Sequence, residues 1–286
     1  MKFDIITLSW ICFFAGSLLV CFKNTLRAGW AVLLTAYALA FAGKEITFTG
    51  LGWLLLTAGT LLLAVRQHGW KQFALHGAFF VLSVLLFLHR LPGFNNLLVF
   101  DKVHFTPDAA PFTMYLNLDK PFNGFILFTC FGSVWYSHRP NAITLLKAIA
   151  LPLIAIAAIC LGTALLLHFV NWDPRLPANA WLWMLNNLLL VAVCEEAFFR
   201  GYLQGILGKQ IFKGKSPYIP LFITALLFGL AHTTGGPALM LLAFIAGCGY
   251  GWAYNKGGML ASILTHFFFN VLHFFLFTYP MLAARH

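Results

Sequence analysis

The chain has 286 residues, 61% of them hydrophobic and 17% aromatic, while only 9% carry charge and the mean hydropathy is +0.84. That balance excludes a soluble globular protein and defines a polytopic membrane protein. The net charge of +10 does not signal a nucleic-acid partner, because the eighteen Lys and Arg are scattered between apolar runs and form no basic face.

The first apolar run, residues 5–22, is followed by Lys23 and Arg27 and reads as a retained membrane span. A cleaved leader fits less well, since Val20 stands where a lipoprotein-like box ending at Cys21 needs a small residue. Further apolar runs cover residues 29–43, 50–65, 73–89, 122–136, 144–170, 181–207, 217–232, 238–254 and 258–278. Helices of about 20 residues, each rising about 1.5 Å, cross a hydrocarbon core about 30 Å thick. Barrel strands would alternate polar and apolar positions, and these runs do not. The expected fold is an all-α transmembrane helical bundle of about eight to ten spans, with runs two and five short enough to be tilted or re-entrant.

Residues 90–121 form the longest connection and hold Pro92, Pro107, Pro111, Asp101, Asp108 and Asp119, a composition that predicts a loop or interfacial cap. The chain then divides into an N-terminal transmembrane region with its loop (1–120), connecting helices (121–177) and a core (178–280). Lys23, Arg27, Arg66, Lys71, Arg139, Lys147, Lys209, Lys213, Lys215 and Lys256 fall in alternate connections, which places those connections in the cytoplasm and both termini outside. Cys12, Cys21, Cys130, Cys160, Cys194 and Cys248 all sit inside apolar runs, so neither a disulfide framework nor a cysteine metal site is expected.

Chemistry concentrates in the seventh, eighth and tenth of these apolar runs. Glu195 and Glu196 are adjacent within an apolar run of a chain that has only eight acidic residues. Ionisable groups at membrane depth are costly and mark functional sites by default. Arg200 lies one helical turn after Glu196 and is its natural ion-pair partner, while Glu195 points about 100° away and is left for chemistry. His266 and Asn270 are likewise four apart, so an imidazole and a carboxamide project together and can donate to one oxygen, as in an oxyanion hole. His232 ends the Phe228-x-x-x-His232 turn just before Thr233-Thr234-Gly235-Gly236-Pro237, a helix stop that admits water. A carboxylate and an imidazole can hold and deprotonate water while a second donor pair stabilises the developing negative charge. That combination suits peptide-bond hydrolysis without a serine or cysteine nucleophile. His76, His168 and His273 read as structural histidines, although His273 continues the face of His266 and Asn270.

Glu195-Glu196-x-x-x-Arg200, Phe228-x-x-x-His232 and His266-x-x-x-Asn270 resemble the three motifs of the CPBP family of CAAX proteases and bacteriocin-processing enzymes, also called the ABI family, which includes the Rce1-type CAAX prenyl endopeptidase. The resemblance covers residues 178–280, and Asn117-Leu118-Asp119-Lys120-Pro121 resembles an upstream segment of bacterial members. It implies an intramembrane glutamic-type endopeptidase of a bacterial plasma membrane, acting on a membrane-associated protein or peptide. Glu195 would then be the general base assisted by His232, His266 and Asn270 the oxyanion donors, and Glu196, Arg200 and Phe228 the supporting groups.

No cofactor is expected. The competing mechanism is a zinc-dependent protease in which Glu195, His232 and His266 hold the metal, although a His-Glu-x-x-His pattern is absent. A bacteriocin-immunity or scaffold protein is a non-catalytic alternative. A proton-coupled carrier is a third, without the paired broken helices of inverted repeats.

Overall fold

The computed structural model describes residues 4–137 and 140–283, so Arg139, one of the charges used for orientation, lies outside the described residues. Among the described residues the fold is all-α and polytopic, with one two-stranded sheet. The helices are α1 (Ile5–Val20), α2 (Leu26–Ala42), α3 (Phe48–Ala64), α4 (Gly69–Phe87), α5 (Phe122–Ser137), α6 (Ala142–Leu166), α7 (Ala180–Phe212), α8 (Tyr218–Leu230) and α9 (Gly236–Leu276).

Helices Lys23–Ala42, Gly69–Phe87, Ala142–Leu166, Ala180–Phe212 and Thr233–Leu276 are long and apolar enough to cross a membrane, whereas Ile5–Val20, Phe48–Ala64 and Tyr218–Leu230 are apolar but shorter. The sequence runs 5–22 and 217–232 extend past their helices because apolar residues in the caps and turns lengthen them, whereas the run 50–65 is slightly shorter than its helix.

The chain divides into two compact units. The first comprises residues 1–98, 115–136 and 189–194, and the second residues 99–114, 137–188 and 195–286. In the first unit, Asp4 caps α1 by accepting from the Thr7 backbone N–H at 2.7 Å. The buried Phe13 meets Tyr37 and Phe125 edge to face, at 5.5 and 5.7 Å. Glu45, just past α2, is buried and accepts from the Ser9 hydroxyl at 2.9 Å and the Trp10 indole at 2.8 Å. Asp119, in the stretch that resembles a bacterial upstream segment, is also buried. It accepts from the His89 ring at 2.7 Å and from its neighbour's backbone, Lys120 N–H, at 2.8 Å.

The connection expected to be a loop or interfacial cap contains a hairpin, with β1 at Leu97–Val103 and β2 at Phe112–Leu116. Pro107 and Pro111 are confined to the turn between the strands, where no ladder hydrogen bond is needed from them. In the second unit the hairpin tip is tied to the C-terminal segment by Ala110 N–H to Met281 O and Ala283 N–H to Asp108 O, both 2.8 Å.

Also in the second unit, α9 doubles back on itself. Tyr250 and Phe269 would be about 28 Å apart along a straight helix, yet their ring centroids are 6.3 Å apart. The reversal occurs at Gly258, whose φ of 74° and ψ of −161° belong to a region that only glycine adopts readily. The apolar runs 238–254 and 258–278 are therefore the two arms of one helical hairpin.

Helix α7 is unusual in another way. It opens into π-helical turns over Asn186–Ala192 and again over Ala197–Leu207, leaving only Val193–Glu196 as α-helix between them. Such wide turns are rare and gather at functional sites. Both glutamates lie in that short α-helical island.

Candidate active site

Glu196 is the centre of the arrangement and is fully buried, as is Arg200. Arg200 Nε lies 3.3 Å from Glu196 Oε2, the i,i+4 ion pair expected from the spacing. The other carboxylate oxygen, Oε1, is 2.8 Å from His266 Nδ1. The Ser262 hydroxyl donates to Glu196 Oε2. One carboxylate therefore joins the first and third sequence motifs, and it has three partners in a space from which water is excluded. A buried charge needs such compensation, because an unpaired one is strongly destabilising.

His266 is fixed on a second side by Tyr250, which stacks on it with ring centroids 4.4 Å apart and planes 9° from parallel. Tyr250 sits on the first arm of α9 and His266 on the second, so the turn at Gly258 is what brings them face to face. Phe228 carries the second motif into the same cluster. Its ring is 4.7 Å from His232, 5.9 Å from His266 and 5.4 Å from the Arg200 guanidinium. The His232 Nδ1 is 2.8 Å from the Phe228 carbonyl one turn earlier. His232 is half-buried at the end of α8, where the chain enters the Thr233–Gly235 turn.

Glu195 is 8% exposed and follows Cys194 on the α-helical island. Asn270 donates through Nδ2 to Asn187 Oδ1 at 3.3 Å. Each of the two expected oxyanion donors thus uses one position to hold its orientation: His266 through Nδ1 and Asn270 through one amide hydrogen. The His266 Nε2 and the second amide hydrogen of Asn270 remain for another partner.

Four further polar residues belong to the cluster and were missed in the sequence: Ser262, Thr224, Gln204 and Asn187. Arg200 Nη1 donates to Thr224 Oγ1 at 3.2 Å, and Gln204 Nε2 donates to Asn255 Oδ1 at 3.0 Å. Three of the four extend the motifs at the same spacing. Glu196, Arg200 and Gln204, then Thr224, Phe228 and His232, then Ser262, His266 and Asn270 are each successive residues four apart. Continuing each i,i+4 face by one turn would have found them. Asn187 has no such signal, because it is reached only through the π-helical turn.

Among the described residues no three His, Cys, Asp or Glu side chains form a group that could hold an ion, and His266 Nδ1 is turned to Glu196.

These features define a multi-pass helical membrane protein with a buried carboxylate, guanidinium and imidazole cluster assembled from three helices. Residues 177–272, which contain all three motifs, match the family model described as type II CAAX prenyl endopeptidase Rce1-like. This segment, about a third of the chain, is thus similar to an endopeptidase family. No curated protein and no solved structure matches the chain.

Proposed function

We propose that the protein is an intramembrane glutamic-type endopeptidase that cleaves a peptide bond in a membrane-associated protein or peptide of a bacterial plasma membrane, using water and no metal. The observation that carries this reading is the 2.8 Å contact between Glu196 and His266. It fixes the imidazole by the logic of a carboxylate-oriented histidine, in which one ring nitrogen is held so that the other faces the reaction.

Arg200 compensates the Glu196 carboxylate, as a desolvated site requires. His266 Nε2–H and the free amide hydrogen of Asn270 would donate to the substrate carbonyl oxygen as it gains charge. Glu195, assisted by His232 on the water-admitting end of α8, would take a proton from water as its oxygen bonds to the carbonyl carbon. The same proton would pass to the leaving nitrogen as the C–N bond breaks, giving a carboxylic acid and an amine, which exchange a proton to leave as carboxylate and ammonium.

The test is cleavage of quenched-fluorescent membrane peptides, with and without a prenyl group, by the full chain in liposomes. Native protein should cleave and Glu195→Gln should not, with activity unchanged in chelator. Activity that vanishes in chelator and returns with zinc would replace this mechanism with the metal-dependent one. A Glu195→Gln variant that cleaves as fast as native protein would remove Glu195 from the chemistry.

A further inference from the structure

The geometry points to a binding site for the phosphate headgroup of an anionic phospholipid at the end of α8 opposite His232. A cavity of about 440 Å³ is lined there by Pro217, Tyr218, Leu221, Trp252, Asn255 and Lys256. This volume is within the roughly 300–1,000 Å³ of small-ligand sites. The two chain reversals of the second unit meet at this place. One is the turn from α7 to α8, which carries Lys213 and Lys215, and the other is the tip of the α9 hairpin, which carries Lys256. Asn255 Nδ2 donates to the Pro217 carbonyl at 3.3 Å and so joins the two tips.

Three features select the ligand. First, the sequence contains no Asp or Glu after Glu196, so these three lysines have no carboxylate in their own segment and their charge is available to an outside anion. Second, Asn255 is oriented on both sides: its Oδ1 accepts from Gln204 and one amide hydrogen goes to Pro217. The other amide hydrogen is left for a further acceptor, and Asn255 and the exposed Lys256 both line the cavity. Third, Trp252 and Tyr218 flank the opening and are 38% and 64% exposed, as amphipathic rings are at the level of lipid headgroups. The lysine-rich connections are those that sequence charge assigns to the cytoplasm, where the leaflet is anionic and basic pockets between helices bind lipid headgroups. The site lies about 20 Å from His232 along α8, and the proposal does not depend on the chemistry assigned to the glutamates.

The experiment is native mass spectrometry of the full chain released from bilayers of equal phosphatidylglycerol and phosphatidylcholine. Native protein should retain phosphatidylglycerol in excess. Lys256→Gln should cut that excess about fivefold, as expected for one lysine at a membrane surface, while Lys256→Arg retains it and Lys209→Gln, outside the cavity, leaves it nearly unchanged. Circular dichroism checks that each variant is folded. Equal loss in Lys209→Gln and Lys256→Gln would overturn the cavity in favour of diffuse charge, and no loss in Lys256→Gln would overturn it outright. Displacement of the lipid by millimolar inorganic phosphate would remove the bilayer as the source of the anion. Displacement by a short peptide with a free terminal carboxylate would reassign the cavity to a peptide end.

Discussion

At the residue scale the decisive fact is that a carboxylate in oil is stabilised only by its partners. Glu196 has Arg200, His266 and Ser262 around it. Replacing Glu196 with Gln leaves Arg200 buried and unpaired, and breaking a buried pair in this way costs about 3–5 kcal/mol. Ser262→Ala removes one hydrogen-bond donor and should cost about 1–2 kcal/mol, since the carboxylate keeps its charged partners. Unfolding of the purified variants in detergent checks the order, and equal losses would show that the three contacts do not share one carboxylate. The Glu196 to Arg200 pair was legible in the sequence because two opposite charges one turn apart stand out among apolar residues. Ser262, Thr224 and Gln204 were not, because an uncharged polar side chain in an apolar helix is commonly satisfied by its own backbone. Thr224 illustrates this, as its hydroxyl also reaches the Pro220 carbonyl at 2.9 Å.

At the scale of elements, the turn at Gly258 and the π-helical turns of α7 set the geometry. Any side chain at residue 258 would meet the strain of its positive φ, so Gly258→Ala should destabilise the second unit by about 1–3 kcal/mol. The same variant should loosen the Tyr250 stack on His266, readable as a drop in activity larger than the loss of fold. A variant of native stability would mean that the α9 hairpin tolerates an ordinary residue at its tip. The hairpin turn was foreshadowed by the split between the apolar runs at Lys256 and Gly257. The π-helical turns were not, because hydrogen bonding from i to i+5 leaves no periodic mark in an 11-residue stretch.

The β-hairpin was concealed for a different reason. Its prolines and aspartates report the turn truthfully, but they mask the seven-residue strand beside it. Its tip offers a pH test. The Thr106 hydroxyl, 2.8 Å from Asp108, and Asn171, 3.2 Å away, hold the Asp108 carboxyl below the usual carboxylate range. A lowered folded-state value means that this contribution is present above the unfolded pKa, near 3.8, and is lost as pH falls through the folded one. Asp108 is highly exposed to solvent, so the effect is local. Amide exchange at Ala110 and Ala283 should quicken below that range in native protein but not in Asp108→Asn, and a pH-independent difference would contradict it.

At the scale of the whole molecule, composition alone announced a polytopic helical protein, and the helices bear that out. The match at residues 177–272 falls on the same stretch as the three motifs. The first unit has its own buried acids: Glu45 is held by Ser9 and Trp10, Asp119 by the His89 ring and the Lys120 backbone, and none of these partners is an arginine. In that respect it differs from the Arg200 cluster. A neutral-donor pocket holds structure, whereas an ion pair with an imidazole added to it also has protons to move. Accordingly, His89→Ala should lower stability without changing the pH dependence of cleavage, while His266→Gln should change the rate with the fold retained. Parallel unfolding and rate measurements separate the two, and the reverse pattern would exchange the roles of the units.

The central claim is tested most directly by a measurement that works whatever the substrate is. Membranes carrying equal amounts of folded native protein or Glu195→Gln are compared by mass spectrometry of all peptide termini. The account predicts at least one new carboxyl terminus and its matching amino terminus in a membrane-associated protein with native chain, both absent with Glu195→Gln. Identical sets of termini in the two membranes would contradict it and leave the buried charges as structural supports of a non-catalytic protein.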